Sequence, residues 1–174
     1  MKEYFNSLIA VLKDWKKAVP VIILTVARII YGLAWVKSGI GKIPWFSDGK
    51  LNSLSRLETV ATNLAGPEVT RFDPLLINKA FAWIVTNVFA GMPGLTDGLV
   101  VIFEILVGVT MIIGFKIFYS ALLATFMNLQ FFASGSFNNF GYVWTNLIFM
   151  IFAKYAEVIG LDGILRVRKG KELV

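Results

Sequence analysis

Residues 18–42 read AVPVIILTVARIIYGLAWVKSGIGK, and this stretch decides the fold. A hydrocarbon layer about 30 Å thick is crossed by roughly 20 apolar residues of helix. Ala18–Ile40 supplies that length, with Arg28 standing inside it. At about 100° per residue, Arg28, Gly32, Trp35, Gly39 and Lys42 fall within about 40° of one line. Lys37 falls on the opposite side and is expected to snorkel to the outer interface. Gly32 and Gly39 read as positions of close helix packing, which small residues allow in a membrane.

Working outward, three more apolar runs follow: Asp97–Phe115, Ile117–Ala133 and Gly141–Gly160. Lys116 alone separates the first two, which predicts a tight helical hairpin. The turn-forming run Ser134-Gly135-Ser136-Phe137-Asn138-Asn139-Phe140 joins the last two. Between the first and second spans lies a long amphipathic connection, residues 41–96. Asp73-Pro74 is a helix start within it, Asp as N-cap and Pro in the first turn. Leu75–Ala90 then reads as a helix ended by Gly91-Met92-Pro93-Gly94. Its length, Lys79 and Asn87 suit an interfacial cap better than a fifth span. The expected fold is an all-α, integral membrane four-helix bundle, one domain, with spans 18–40, 97–115, 117–133 and 141–160 and an extracytoplasmic helical cap loop.

Composition agrees. Of 174 residues, 57% are hydrophobic, with 15 Phe and 5 Trp, and mean hydropathy is +0.72, too apolar for an ordinary soluble domain. The absence of Cys and His removes disulfides, thiol nucleophiles and His- or Cys-based metal, haem and iron–sulfur sites. No metal or haem is therefore expected, and redox chemistry would need an organic cofactor or a partner. The net charge of +6 does not read as nucleic-acid binding, because the basic residues flank apolar runs. Residues 1–20 carry scattered charge and no small-residue cleavage site, so no cleavable signal peptide is expected.

Charge also orients the chain. Lys2, Lys13, Lys16 and Lys17 precede the first span, Lys116 lies in the second loop, and Arg166, Arg168, Lys169 and Lys171 follow the last. In the long first loop, basic residues are balanced by Asp48, Glu58, Glu68, Asp73 and Asp97. The positive-inside rule then predicts a multi-pass cell-membrane protein with both termini cytoplasmic.

Ionisable residues inside a span are costly and are candidate functional groups. Asp97, Glu104, Gly108 and Met111 share one helix face; so do Ala121, Ala124 and Asn128; so do Tyr142, Asn146, Ala153 and Glu157. Gln130 points elsewhere. Such stripes are expected to meet at a bundle axis, since lipid would reject them. Two ion pairs are predicted: Lys42 with Glu104, and Arg28 with Glu157, with Lys154 snorkelling to the headgroups.

The pattern resembles the DoxX/DoxD family of small membrane proteins. The matching features are Arg28-x-x-x-Gly32…Gly39-x-Gly41-Lys42, Glu104…Gly108…Gly114, Met127-Asn128, Gly135-Ser136-x-x-Asn139 and Gly160-Leu161-Asp162. They span roughly residues 25–45 and 97–165. The resemblance implies a four-helix membrane protein of redox metabolism, DoxD being a subunit of a thiosulfate:quinone oxidoreductase that works with a second subunit, DoxA. It thereby implies an oxidoreductase role, a quinone as cofactor and a second redox subunit as partner. Toward such a quinone the candidate binding residues are Arg28, Trp35, Lys42, Glu104, Asn128 and Asn146, with Arg28 and Lys42 also suited to attract an anionic donor. No residue is assigned as catalytic. Other expected partners are the lipid bilayer and a further copy of the chain. Two alternatives stand beside this reading. One is a non-catalytic membrane partner of a redox protein; the other is a small transporter using the charged axis.

Overall fold

The computed structural model describes residues 1–46, 54–66, 76–133 and 139–174. Among these the chain is all-helical. The Asp73-Pro74 helix start and the run 134–138, including Gly135-Ser136, lie outside the described residues.

The first helix, α1 (Lys2–Lys13), is broken from α2 (Trp15–Gly41) by Asp14, whose extended backbone lets its carboxylate accept from the Lys16 amide at 3.1 Å. That N-cap starts a helix of 27 residues. Pro20 is tolerated inside it near the N-terminus. A 3-10 turn, Ile43–Phe46, follows. Next come α3 (Leu54–Ala65) and α4 (Ile77–Ile84), the latter running into a π-helical turn at Val85–Phe89. Together α4 and this turn pack on α3.

Pro93 opens α5 (Pro93–Ile113), where its missing N–H leaves no intrahelical bond unmade. Gly114, at φ +67°, ends it in the left-handed conformation. Then follow α6 (Ile117–Ala133) and α7 (Asn139–Ile151). The expected fourth span does not run unbroken to Gly160. The chain leaves helical geometry at Phe152, resumes for one turn as α8 (Ala153–Ala156), and turns through Gly160 into α9 (Leu161–Arg168). The physical reason is the set of bonds this break permits. Asp162 donates its amide to the Gly114 carbonyl at 3.1 Å, and its carboxylate accepts from the Lys116 amide at 2.7 Å.

Two helices, within Trp15–Gly41 and Gly94–Ile113, are long and apolar enough to cross a membrane; Ile117–Phe132 and Gly141–Ile151 are shorter apolar helices. The most extensive packing is α2 on α5, followed by α6 on α7. Gly32 and Gly108 make the first contact possible. A Cβ on Gly32 would lie 2.7 Å from the Gly108 carbonyl, and one on Gly108 2.5 Å from a Val36 methyl. Tyr31, Trp35, Val107, Met111, Ala121, Ala124 and Phe149 form the core between the four helices. Tyr4, Val11, Val21, Val158 and Leu173 form a second cluster where α1 meets the C-terminal segment.

Candidate functional site

At one end of the bundle, Lys42 caps the C-terminus of α2 and its ammonium donates to both Glu104 oxygens at 2.6 Å. It donates also to Ser38 Oγ at 2.7 Å. The expected pair is present. Glu104 is 1% exposed, whereas the Lys42 side chain keeps 16%, so the lysine carries the link to the surroundings. The ammonium also stands 5.7 Å from the Trp45 ring centroid and 5.9 Å from that of Phe131, within cation–π range.

Those two rings belong to a second feature. A cavity of about 120 Å³ lies between α3, the π turn, α5 and α6, walled by Trp45, Val60, Phe89, Phe103, Phe126 and Phe131. Its surface is almost wholly apolar. The polar lining groups are Thr96, whose hydroxyl donates to the Phe89 carbonyl at 2.7 Å, and Gln130. Sequence reasoning set Gln130 aside because it lies off the axial stripe of its helix. That offset turns it toward the cap, where the cavity is.

At mid-bundle, the Tyr31 hydroxyl donates to Asn146 Oδ1 at 2.8 Å and accepts from Asn128 Nδ2 at 3.2 Å. Trp35 meets Tyr31 edge-on at 6.1 Å between centroids, and the Phe149 ring lies tilted against Tyr31 at 5.7 Å. Asn146 is fully buried, and its Nδ2 has no hydrogen-bond partner among the described residues.

Arg28 forms the third group, and here the predicted partner is corrected. Its guanidinium donates to backbone carbonyls: Nε to Ala156 at 2.8 Å, Nη1 to Met111 and to Ile112 (2.6 Å for the latter), and Nη2 to Ile159. Met111 and Ile112 are in the last turn of α5, where carbonyls run short of intrahelical partners; Met111 also accepts from the Gly114 amide, at 3.4 Å. Ala156 ends α8. A cation at two helix C-termini also matches their dipoles. Glu157 pairs instead with Arg166 of α9 and accepts from the Ile117 amide at 3.1 Å. It and Asp162 therefore cap the N-terminus of α6, each acting from another part of the chain. The break at Phe152 turns Glu157 to that helix end.

The six candidate residues thus distribute along the bundle in three groups: Lys42 with Glu104, then Trp35, Asn128 and Asn146 around Tyr31, then Arg28. Arg28 and Lys42 are separated by about 21 Å of helical rise, at about 1.5 Å per residue, too far for one small head group to touch both. Lys42 and Glu104 adjoin the cavity wall. Comparison with known proteins gives no match to any family model, curated protein or solved structure.

Proposed function

We propose that the chain is a four-helix membrane protein, α2, α5, α6 and α7 being the spans, that binds a quinone in the cavity beside Lys42 as a subunit of a redox complex. The observation that carries the reading is the shared wall. Trp45 and Phe131 line the cavity and also flank the Lys42 ammonium. An apolar, aromatic slot with a few polar groups at its edge suits a flat ring with an apolar tail and two carbonyls. Gln130 would hold a bound quinone through its amide, and Lys42 with Glu104, beside the Trp45 and Phe131 rings of the wall, would supply a proton-bearing group at its edge. A bound quinone would supply the two-electron chemistry for which this chain has no Cys or His.

The membrane setting rests on the outer surface of the same helices. Ile23, Ile30, Leu106, Leu122, Trp144 and Ile148 are all exposed, more apolar surface than water tolerates. Basic-residue asymmetry puts both termini in the cytoplasm and Lys42 toward the outer face. With Asn6→Cys and Ser53→Cys variants, an impermeant thiol reagent added outside should react with the second alone.

The binding test uses the purified protein with a short-tailed quinone, read by tryptophan quenching and a difference spectrum. Binding should saturate and be lost in Val60→Trp, which fills the cavity, while Trp35→Phe retains it. Saturable binding that ignores Val60→Trp would remove the cavity from the account. No binding at all would favour the second reading, a membrane partner that recruits a redox protein, which the lack of Cys and His supports.

A further inference from the structure

The helix α1 has two apolar flanks, and only one is used by the fold. Tyr4, Leu8 and Val11 turn against Val158, Leu173 and their neighbours. On the adjoining flank, Met1, Phe5, Ile9 and Leu12 form a stripe at helical spacing, with Phe5 and Ile9 each 52% exposed. Trp15, directly after the Asp14 bend, is 71% exposed. Lys2 and Lys13 border the stripe, and Lys16 follows it, all exposed. Arg168, Lys169 and Lys171 are exposed at the end of α9, against which α1 packs. Glu3 and Asn6 occupy the remaining, polar flank.

An apolar stripe edged by lysines and ending in a tryptophan has a specific chemical complement. Aliphatic and aromatic side chains enter the acyl boundary, indole sits at headgroup depth, and ammonium groups reach phosphates. A neutral apolar partner would leave the cations without counter-charges; an anionic lipid surface meets both features, and its potential attracts each lysine. We propose that α1 is an interfacial anchor that seats this end of the bundle on anionic phospholipid. The inference rests on the membrane reading above, and its test separates the two.

The chain has no cysteine, so a spin label reports a single position. Full-length Phe5→Cys, Asn6→Cys and Ile23→Cys proteins are labelled and reconstituted in nanodiscs of phosphatidylcholine with or without phosphatidylglycerol. With phosphatidylglycerol, the label at position 5 should collide with dissolved oxygen and not with a water-soluble nickel chelate; the label at 6 should do the reverse. Without it, nickel access at position 5 should rise severalfold. The same rise should follow Lys2→Gln, Lys13→Gln, Lys16→Gln and Lys17→Gln together. A label at 5 that is aqueous in both lipids, or lipid-exposed in both and indifferent to the lysines, overturns the anchor. Exclusion of both reagents at position 5 overturns it too, in favour of a protein occupant. The label at 23 tests the bilayer itself: nickel access there would remove the membrane reading, whereas lipid exposure there with water at 5 removes only the anchor.

Discussion

Gly114 and Gly160 meet back to back where α5 ends and the chain turns into α9. A Cβ on Gly114 would lie 2.9 Å from the Gly160 Cα, and one on Gly160 would lie 2.8 Å from the Gly114 Cα. The Arg28 guanidinium covers the same spot, its Nη2 being 2.8 Å from the Gly114 Cβ position. A glycine pair thus lets two backbones approach closely enough for one arginine to bond the carbonyls of both. Alanine at either position should force them apart, costing about 1–3 kcal/mol. Gly114→Ala should lose more, because its φ of +67° adds about 1 kcal/mol for any side chain. Gly141→Ala, with open space around the added methyl, is the control. Thermal midpoints in detergent should rank Gly114→Ala lowest, Gly160→Ala next and Gly141→Ala near the parent; equal midpoints would dismiss the close approach.

Arg28 is 1% exposed and bonded to four carbonyls, so Arg28→Ala should strip those acceptors of their guanidinium donor and lower stability by about 3 kcal/mol or more. Arg28→Lys keeps the charge but not the fork, and should recover only part of the loss. Since Glu157 takes its bonds from Ile117 and Arg166, Glu157→Gln should not rescue Arg28→Ala. A double variant more stable than Arg28→Ala alone would show that the two charges depend on one another directly.

The inward faces were legible in the sequence, because a bundle axis selects small and polar residues at a fixed 100° spacing. Arg28, Glu104, Asn128 and Asn146 are all buried as that phase requires, and Lys37 and Lys154 are exposed, whereas Tyr142, on the same stripe as Asn146, is 47% exposed. The Lys42–Glu104 pair was legible too, since helix direction and Cβ tilt brought both side chains to one level. The Arg28 cage was not. Backbone carbonyls leave no mark in a sequence, and the helix break at Phe152 has no proline or glycine beside it to announce it. The cavity was missed for a different reason. Its lining comes from α3, the π turn and the off-stripe faces of α5 and α6, so no single helix carries its pattern.

Tyr4 donates its hydroxyl to the Val158 carbonyl at 3.1 Å, joining α1 to the turn below α8. Burial raises its phenol above the usual value of 10.0. The folded state then holds its proton more tightly than the unfolded one. Its contribution is fully present below pH 10 and declines as pH rises from there through the folded pKa. The parent should therefore lose thermal stability between pH 9.5 and 11 faster than Tyr4→Phe, although that variant starts about 1 kcal/mol lower at neutral pH for want of the hydrogen bond. Parallel pH profiles for the two proteins would exclude Tyr4 as the titrating group.

Lys42 and Glu104 should respond unequally to removal of their partners. In Lys42→Met the Glu104 carboxylate stays buried without its cation, at a cost of about 3 kcal/mol. In Glu104→Gln the lysine, still 16% exposed and bonded to Ser38, can turn its ammonium toward water, so the loss should be nearer about 1 kcal/mol. Replacing both leaves a neutral amide beside an apolar chain and should recover much of the Lys42→Met loss. Detergent melting of the two single variants and the double completes the cycle, and equal single losses would deny the asymmetry of exposure. The double variant has a further use. Its cavity walls are intact, so if it folds stably yet no longer shifts the quinone spectrum, the ion pair contributes to binding beyond its part in holding α2 to α5. Should it bind quinone like the parent, the pair is structural and Gln130 becomes the polar group to replace next.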